Sequence, residues 1–292
     1  MAKPLTWRRL GHELGLGLAC VATHLPRSAV PGPSVQVMGL AFDSPLGIAA
    51  GFDRLGRLGR RAGALGFAFN EIGSLDLATT SPWPRITPGT ARLGLNLSLD
   101  PRLPLATLCA GLGRIGVHAD YLMLNLIGPA SAPLLDPEQR PRLRRLLAAL
   151  RTEQNRLDAL GRRRPLAVKL RCLPGQTPLV LAELLLELGY DGLLAAHDPG
   201  PPATRQRYRA WQDEARQAQA CAQLEQLRRL CRGDLALMSV GGIQTAEQLR
   251  ARLAAGAELV QVHTALLHAG PWLARRLLRG MSMGSAKARG TW

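Results

Sequence analysis

The chain has 292 residues, 47% of them apolar, which is enough for a large core, and 37 lysines and arginines against 21 aspartates and glutamates give a formal charge of +16. The cations are spread along the chain and only 4% of residues are aromatic, so phosphate tracking and base stacking on a nucleic acid are not expected; weak attraction to anionic surfaces is. The five cysteines (Cys20, Cys109, Cys172, Cys221, Cys231) show no C-x-x-C spacing, no secretory signal precedes them, and no apolar run reaches the roughly 20 residues that span a bilayer; free thiols in a cytoplasmic protein, with no metal site, are expected.

Residues 1–34 read as a helical extension, because Leu10, Leu14, Leu18, Val21 and Leu25 fall on one stripe. Within it, residues 7–25 have two readings: docking on the protein's own body, or a peripheral contact with the inner membrane. From residue 35 to 281 short apolar runs alternate with helical patterns. The strand-like runs are Leu46–Ala50, Phe67–Ile72, Tyr121–Ile127, Leu166–Leu170, Gly192–Ala196, Leu235–Val240 and Leu259–Val262, with Arg92–Leu97 a weak eighth. Helical spacing marks Pro178–Leu188 and Thr245–Ala255 between them. Nearly continuous apolar strands separated by helices imply a parallel sheet covered on both faces. The count favours a (β/α)8 TIM-type barrel, irregular or short of one βα unit, with an open doubly wound sheet as the alternative. Residues 282–292 read as a flexible tail.

Chemistry in such barrels collects at the C-terminal strand ends. Two features stand out there. Ser239-Val240-Gly241-Gly242-Ile243-Gln244-Thr245 feeds a helix and is followed by Gln261-Val262-His263-Thr264. Paired glycines let backbone N–H groups approach an anion, and a following helix N-terminus adds its dipole, although a tight turn alone would also use a glycine. The second feature is Lys169. The chain has only three lysines (Lys3, Lys169 and Lys287), and this internal one sits in the apolar run Leu166-Ala167-Val168-Lys169. A buried ammonium needs either a carboxylate partner or an electron-rich ligand. A phosphate together with a ring that accepts negative charge would satisfy both features, which suggests a reduced flavin.

These stretches, in order, resemble the dihydroorotate dehydrogenases, most closely the quinone-reducing, membrane-associated class. The likeness rests on Pro45-Leu46-Gly47-Ile48-Ala49-Ala50-Gly51-Phe52-Asp53, Glu71-Ile72-Gly73-Ser74, Pro82-Trp83-Pro84-Arg85, Arg92-Leu93-Gly94-Leu95-Asn96, Tyr121-Leu122-Met123-Leu124-Asn125, Ala167-Val168-Lys169, Asp191-Gly192-Leu193-Leu194-Ala195, Val240-Gly241-Gly242-Ile243 and Gly256-Ala257-Glu258-Leu259-Val260-Gln261, and runs from about residue 35 to 279. The resemblance implies an FMN-containing barrel that oxidises dihydroorotate. Carried over by position, Ala49, Ala50, Gly51, Ser74 and Asn125 would lie beside the flavin ring. Lys169 would lie near its N1 and O2, and Gly241, Gly242, His263 and Thr264 would hold its phosphate, with histidine in place of the usual tyrosine.

On the substrate side the resemblance implies losses. The family's base falls on Gly128 and its orotate-holding asparagines on Ala130 and Ala91. A Thr-Asn pair becomes Ala196-His197, and a lysine becomes Arg54. A phosphate loop is absent between Pro201 and Gln219, and one strand with its flavin-contacting asparagine is expected to be deleted around residues 100–118. Ser131 is a weak substitute base. Three readings stay open: an FMN oxidoreductase with a changed small-molecule substrate, for which Arg54, Asn96 and His197 would be the new binding set and a quinone or another electron acceptor the oxidant; a catalytically silent scaffold or regulator with a protein partner; and a true dihydroorotate dehydrogenase of pyrimidine biosynthesis.

Overall fold

The computed structural model describes residues 7–25, 32–78, 86–198 and 203–288. The Pro82–Arg85 stretch lies outside them, as do part of the Pro201–Gln219 segment and the chain end from 289. Helix α1 (Trp7–Ala22) comes first. An antiparallel hairpin follows, β1 (Val35–Val37) and β2 (Leu40–Phe42), with Val35 opposite Phe42. Eight parallel strands then close into a barrel: β3 (Leu46–Ile48), β4 (Phe69–Asp76), β5 (Arg92–Ser98), β6 (Tyr121–Asn125), β7 (Leu166–Arg171), β8 (Gly192–Ala196), β9 (Ala236–Val240) and β10 (Leu259–Val262), with β10 paired to β3.

No unit is short. The weak segment is β5, paired along its length with β4 and β6, and Gly94 faces Tyr121 across the second pairing. Its signal was weak because the strand alternates. Leu93, Leu95 and Leu97 pack outward in the main core, and the other face carries Gly94, Asn96 and Ser98, too polar for a continuous apolar run. Gly94 has no room for a side chain, since an added Cβ would meet the Tyr121 ring at 2.2 Å. Helix α2 (Leu105–Gly116) follows β5, where a deletion had been expected.

The outer layer continues with α3 (Arg140–Ala159), α4 (Leu179–Glu187), α5 (Arg205–Ala210), α6 (Glu214–Cys231), α7 (Ala246–Ala254), α8 (Thr264–Ala269) and α9 (Leu273–Ala288). Helix α9 runs straight through residue 282, where a tail was expected to begin. Two cores result. The larger lies between barrel and helices. The smaller fills the barrel, where Phe69, Tyr121, Met123, Ala167, Leu194 and Leu259 pack with Val37, Leu40 and Phe42, so the hairpin plugs the N-terminal end.

That end is also where many arginines are used. Asp120, almost fully buried, pairs with Arg60, with Arg162 at 2.8 Å and with Arg92 at 3.7 Å, and accepts from the Leu93 N–H at 2.8 Å. Burial alone would raise its pKa, but the Leu93 N–H and the Arg60 and Arg162 guanidinium groups outweigh it and hold the carboxyl below the ordinary range. Asp191 binds Arg151 at 2.7 Å and also pairs with Arg163, while accepting from Leu166 N–H at 2.8 Å. All five cysteines are free.

Candidate functional site

Opposite the hairpin, the C-terminal strand ends open into a cavity of about 580 Å³. The structure brings most sequence-predicted residues to it: Ala49, Ala50, Gly51 and Arg54 after β3, Ser74 on β4, Asn125 and Gly128 at β6, Lys169 on β7, Gly241 and Gly242 after β9, and His263 and Thr264 after β10.

The side of the cavity near β4 to β6 is a chain of hydrogen bonds with one direction. Asn125 Nδ2 donates to Ser74 Oγ at 2.9 Å, Ser74 Oγ to Asn96 Oδ1 at 2.5 Å, and Asn96 Nδ2 to Glu71 Oε1 at 2.8 Å. Gln261 Nε2 and Tyr121 OH donate to the other oxygen of Glu71, at 2.6 and 3.3 Å. A buried carboxylate can only accept, so it fixes every rotor in the series. Asn96 is fully buried with both amide ends used here; it orients Ser74 rather than contacting a substrate.

Lys169 projects into the same space. It is 9% exposed and makes no hydrogen bond or ion pair among the described residues. Burial pulls its pKa down, and the more distant Glu71 and Asp198 charges oppose that. No carboxylate partner stands within ion-pair reach, which favours an electron-rich ligand as its counterpart. Arg171, two residues along the strand and therefore on the same face, lines the cavity as well, as does Arg54 from the other side of the mouth. Against these cations stands one lining carboxylate among the described residues, Asp198, which accepts from Trp211 Nε1 at 2.7 Å. Arg171, Asp198 and Trp211 were not singled out from the sequence, though Arg171 shared Lys169's strand parity.

At the β9 end Gly241 has φ of 115° and Gly242 of 79°. A Cβ on Gly241 would sit 2.7 Å from the Asp198 nitrogen, and one on Gly242 would sit 2.1 Å from the Trp211 ring. Close packing therefore demands both glycines, apart from any ligand. The helix N-terminus expected to face the anion is capped by its own chain. Thr245 and Gln248 form a capping box, and Gln248 Oε1 accepts from the N–H of Gln244 at 2.8 Å and of Thr245 at 3.2 Å. The N–H groups of Gly242 and Ile243, two residues that line the cavity, have no acceptor among the described residues. A partnerless buried ammonium at one end and free backbone donors at the other fit a phosphorylated, electron-accepting ring such as FMN.

The substrate side differs from the expectation in several places. Ser131 is fully buried, donates its hydroxyl to Asn125 O at 2.6 Å and does not line the cavity, so the hydroxyl is turned away from it. Ala91 precedes β5 at the far end of the barrel, so its lack of an amide says nothing about the site. His197 also stays outside. Its neighbour Ala196 packs inside the barrel, so strand alternation turns the imidazole outward, where Nδ1 meets Gln223 Oε1 at 3.1 Å. Burial, with help from Arg252, pushes its pKa down to about 3. Of the proposed binding set only Arg54 lines the cavity. Gly128 does line it, with no side chain to take a proton. Its backbone leaves room: an added Cβ would lie 3.6 Å from Ser131 Oγ and 3.7 Å from Asn125 Nδ2.

Helix α1 lies near the β10 side of the mouth. His12 Nε2 is 2.9 Å from Phe52 O, and its ring stacks on His263 with centroids 6.1 Å apart. Burial, with the His12, Lys169 and Arg54 charges adding to it, pushes His263 down to about 4. Leu14, Leu18, Val21 and Leu25 on this segment remain more than half exposed. Among the described residues no helix is long and apolar enough to cross a membrane.

Comparison with known proteins places these features in a lineage. A family model described as dihydroorotate dehydrogenase matches residues 214–283. A dihydroorotate dehydrogenase (quinone) of Kocuria rhizophila is 31% identical over 96% of this chain and 92% of its own length. One from Leifsonia xyli subsp. xyli is 30% identical over 88% of each. Among solved structures, the ligand-free enzyme of Eimeria tenella superposes with a TM-score of 0.74 at 25% identity, covering 96% of this chain and 95% of that one.

Proposed function

Since the chain belongs to the dihydroorotate dehydrogenase family of oxidoreductases, we propose that it is an FMN-dependent oxidoreductase whose substrate differs from dihydroorotate. The observation that carries the flavin assignment is Lys169, a buried cation with no ion-pair partner, aimed into a cavity large enough for a cofactor. A flavin held here would supply hydride acceptance from the substrate and onward electron transfer to an acceptor. Lys169 supplies positive charge where a reduced ring carries negative charge, and Ser74 and Asn125 hold one fixed donor–acceptor pattern beside it. Gly242, Ile243 and Thr264 form the phosphate end. Asn96, on the strand read as the weak eighth, underlies this wall instead of binding substrate.

The changed substrate rests on Gly128. Loss of a general base costs about 10²–10⁴-fold, and neither of two candidate replacements is free for the role: Ser131 donates its hydroxyl to Asn125 O, and Asp198 accepts from Trp211. Arg54 and Arg171, two guanidinium groups on the cavity wall, favour a substrate bearing acidic groups. The relatives' names specify a quinone acceptor, and the exposed face of α1 beside the cavity suits a peripheral contact with a membrane that holds one.

The purified protein should show an FMN spectrum or take up added FMN. Anaerobic mixing with dihydroorotate should bleach that flavin at least ~10³-fold more slowly than in an ordinary family member. Rapid bleaching would identify a true dihydroorotate dehydrogenase with another base. A colourless protein that also refuses added FMN would leave the scaffold reading.

A further inference from the structure

Arg252 on α7 is fully buried, yet among the described residues no acidic group pairs with it. Its Nε and Nη1 have no hydrogen-bond partner among the described residues, and its guanidinium lies 5.8 Å from the Trp211 ring centroid. Burial lowers its pKa to about 10, still charged at neutral pH. A lone buried charge is costly, so either the fold tolerates it for nothing or a counter-charge arrives from elsewhere.

The hydrogen bonds around it point to one place. Arg252 Nη2 donates to Gln217 Oε1 at 2.9 Å. Gln217 Nε2 donates in turn to Gly242 O and to Trp211 O, each at 2.7 Å. Arg252 Nη2 also reaches Gly241 O at 3.5 Å. In a planar trans peptide the N–H points opposite to the C=O. Drawing the carbonyls of Gly241 and Gly242 toward Arg252 and Gln217 therefore turns the N–H groups of Gly242 and Ile243 the other way, and both residues line the cavity. Each link polarises the next, so positive character from a side chain outside the cavity is delivered to two backbone donors within it.

We propose that Arg252 and Gln217 are positioning residues that set the direction and polarity of the Gly242 and Ile243 amides, making this end of the cavity a site for a phosphate monoester. The missing counter-charge of Arg252 is then the phosphate itself, held across one peptide layer. This deepens the FMN reading given above and rests on it for the identity of the ester, though not for the anion.

The test compares FMN with riboflavin, which lacks the phosphate, by flavin fluorescence titration in wild type, Arg252→Gln, Arg252→Lys and Gln217→Glu. FMN should bind wild type more tightly than riboflavin does. Arg252→Gln should cut FMN affinity about 10–100-fold, by analogy with the loss of a group that orients a metal ligand, and leave riboflavin within about twofold. Arg252→Lys should keep most of the preference. Gln217→Glu keeps an acceptor for Arg252 and should fold, but it cannot donate to Gly242 O and should lose the preference as Arg252→Gln does. Equal losses for FMN and riboflavin would mean a merely structural role, and unchanged affinities would mean no role; either overturns the proposal. If wild type binds no flavin, the FMN reading falls and inorganic phosphate decides the relay. Millimolar phosphate should raise the melting temperature of wild type and not of Gln217→Glu, and no rise in wild type overturns the relay as well.

Discussion

At the scale of single residues, strand parity decides what the cavity contains. Lys169 and Arg171 share the inward face of β7, whereas His197, one residue past the inward Ala196, is turned out. The parity was readable from the sequence for all three; the misassignment of His197 came from following a position in a motif instead of a face. Arg252 was legible in part: it lies on the same stripe of α7 as the buried Leu249, three residues before it, but an arginine-rich chain made one more helical arginine look solvated. Ser131 could not be judged from the sequence, because its burial depends on the turn that carries its hydroxyl to Asn125 O. Two substitutions test the reacting side. Lys169→Met should weaken FMN binding or make the bound flavin harder to reduce, read from a titration and a reduction potential; no change in either would make the lysine structural. Gly128→Ser should fold normally, since a Cβ there meets only ordinary contacts. If the base is the principal deficit, it should speed flavin bleaching by dihydroorotate by about 10²-fold, the low end for a general base. No gain would place the larger deficit in how the substrate is held.

At the scale of elements, the apolar runs located seven strands within a few residues. The eighth was under-read for a physical reason: β5 borders the polar part of the barrel interior, so half of its residues are not apolar. Helix α1 was legible as an amphipathic stripe, but which side faced the body was not. The structure turns Leu16 and Ala19 inward and leaves Leu14, Leu18, Val21 and Leu25 exposed, so the helix docks through a different side from the leucine stripe, and the proposed membrane contact would use the exposed one. Replacing Leu14, Leu18 and Val21 together with serine should reduce co-sedimentation with anionic vesicles at least tenfold, since each leucine or valine buried in lipid contributes roughly 1.5–3 kcal/mol. The melting temperature should hold or rise slightly, because these side chains lie outside the core. Equal vesicle binding by the variant would assign the wild-type binding to the net charge alone.

At the scale of the whole molecule, acid sensitivity should appear well above the carboxylate range, and two buried histidines are the reason. His197 titrates near 3 and His263 near 4 in the fold, each held neutral by burial and by neighbouring cations, against 6.5 for an unperturbed imidazole. Below pH 6.5 the unfolded chain binds a proton at each site and the folded chain does not, so stability falls as pH falls, continuing down to about 4 at His263 and 3 at His197. Asp120 acts in the same direction but only below its ordinary 3.8, so it leaves the window from 6.5 to 5 to the histidines. At one pH unit below 6.5 each site contributes up to about 1.4 kcal/mol, so unfolding free energy should drop by roughly 2–3 kcal/mol between pH 7.5 and 5.5. Urea titrations at the two pH values, with and without FMN, measure this. Replacing His197 with leucine and His263 with phenylalanine shifts the absolute level, because Gln223 loses a partner, so the pH slope is the quantity to compare. The double variant should be nearly flat over that window. A slope that survives both replacements would assign the pH dependence to other groups, and a flat wild type would mean that the folded protein takes up these protons, which would require the mouth beside His12 or the pocket around Gln223 to open in mild acid.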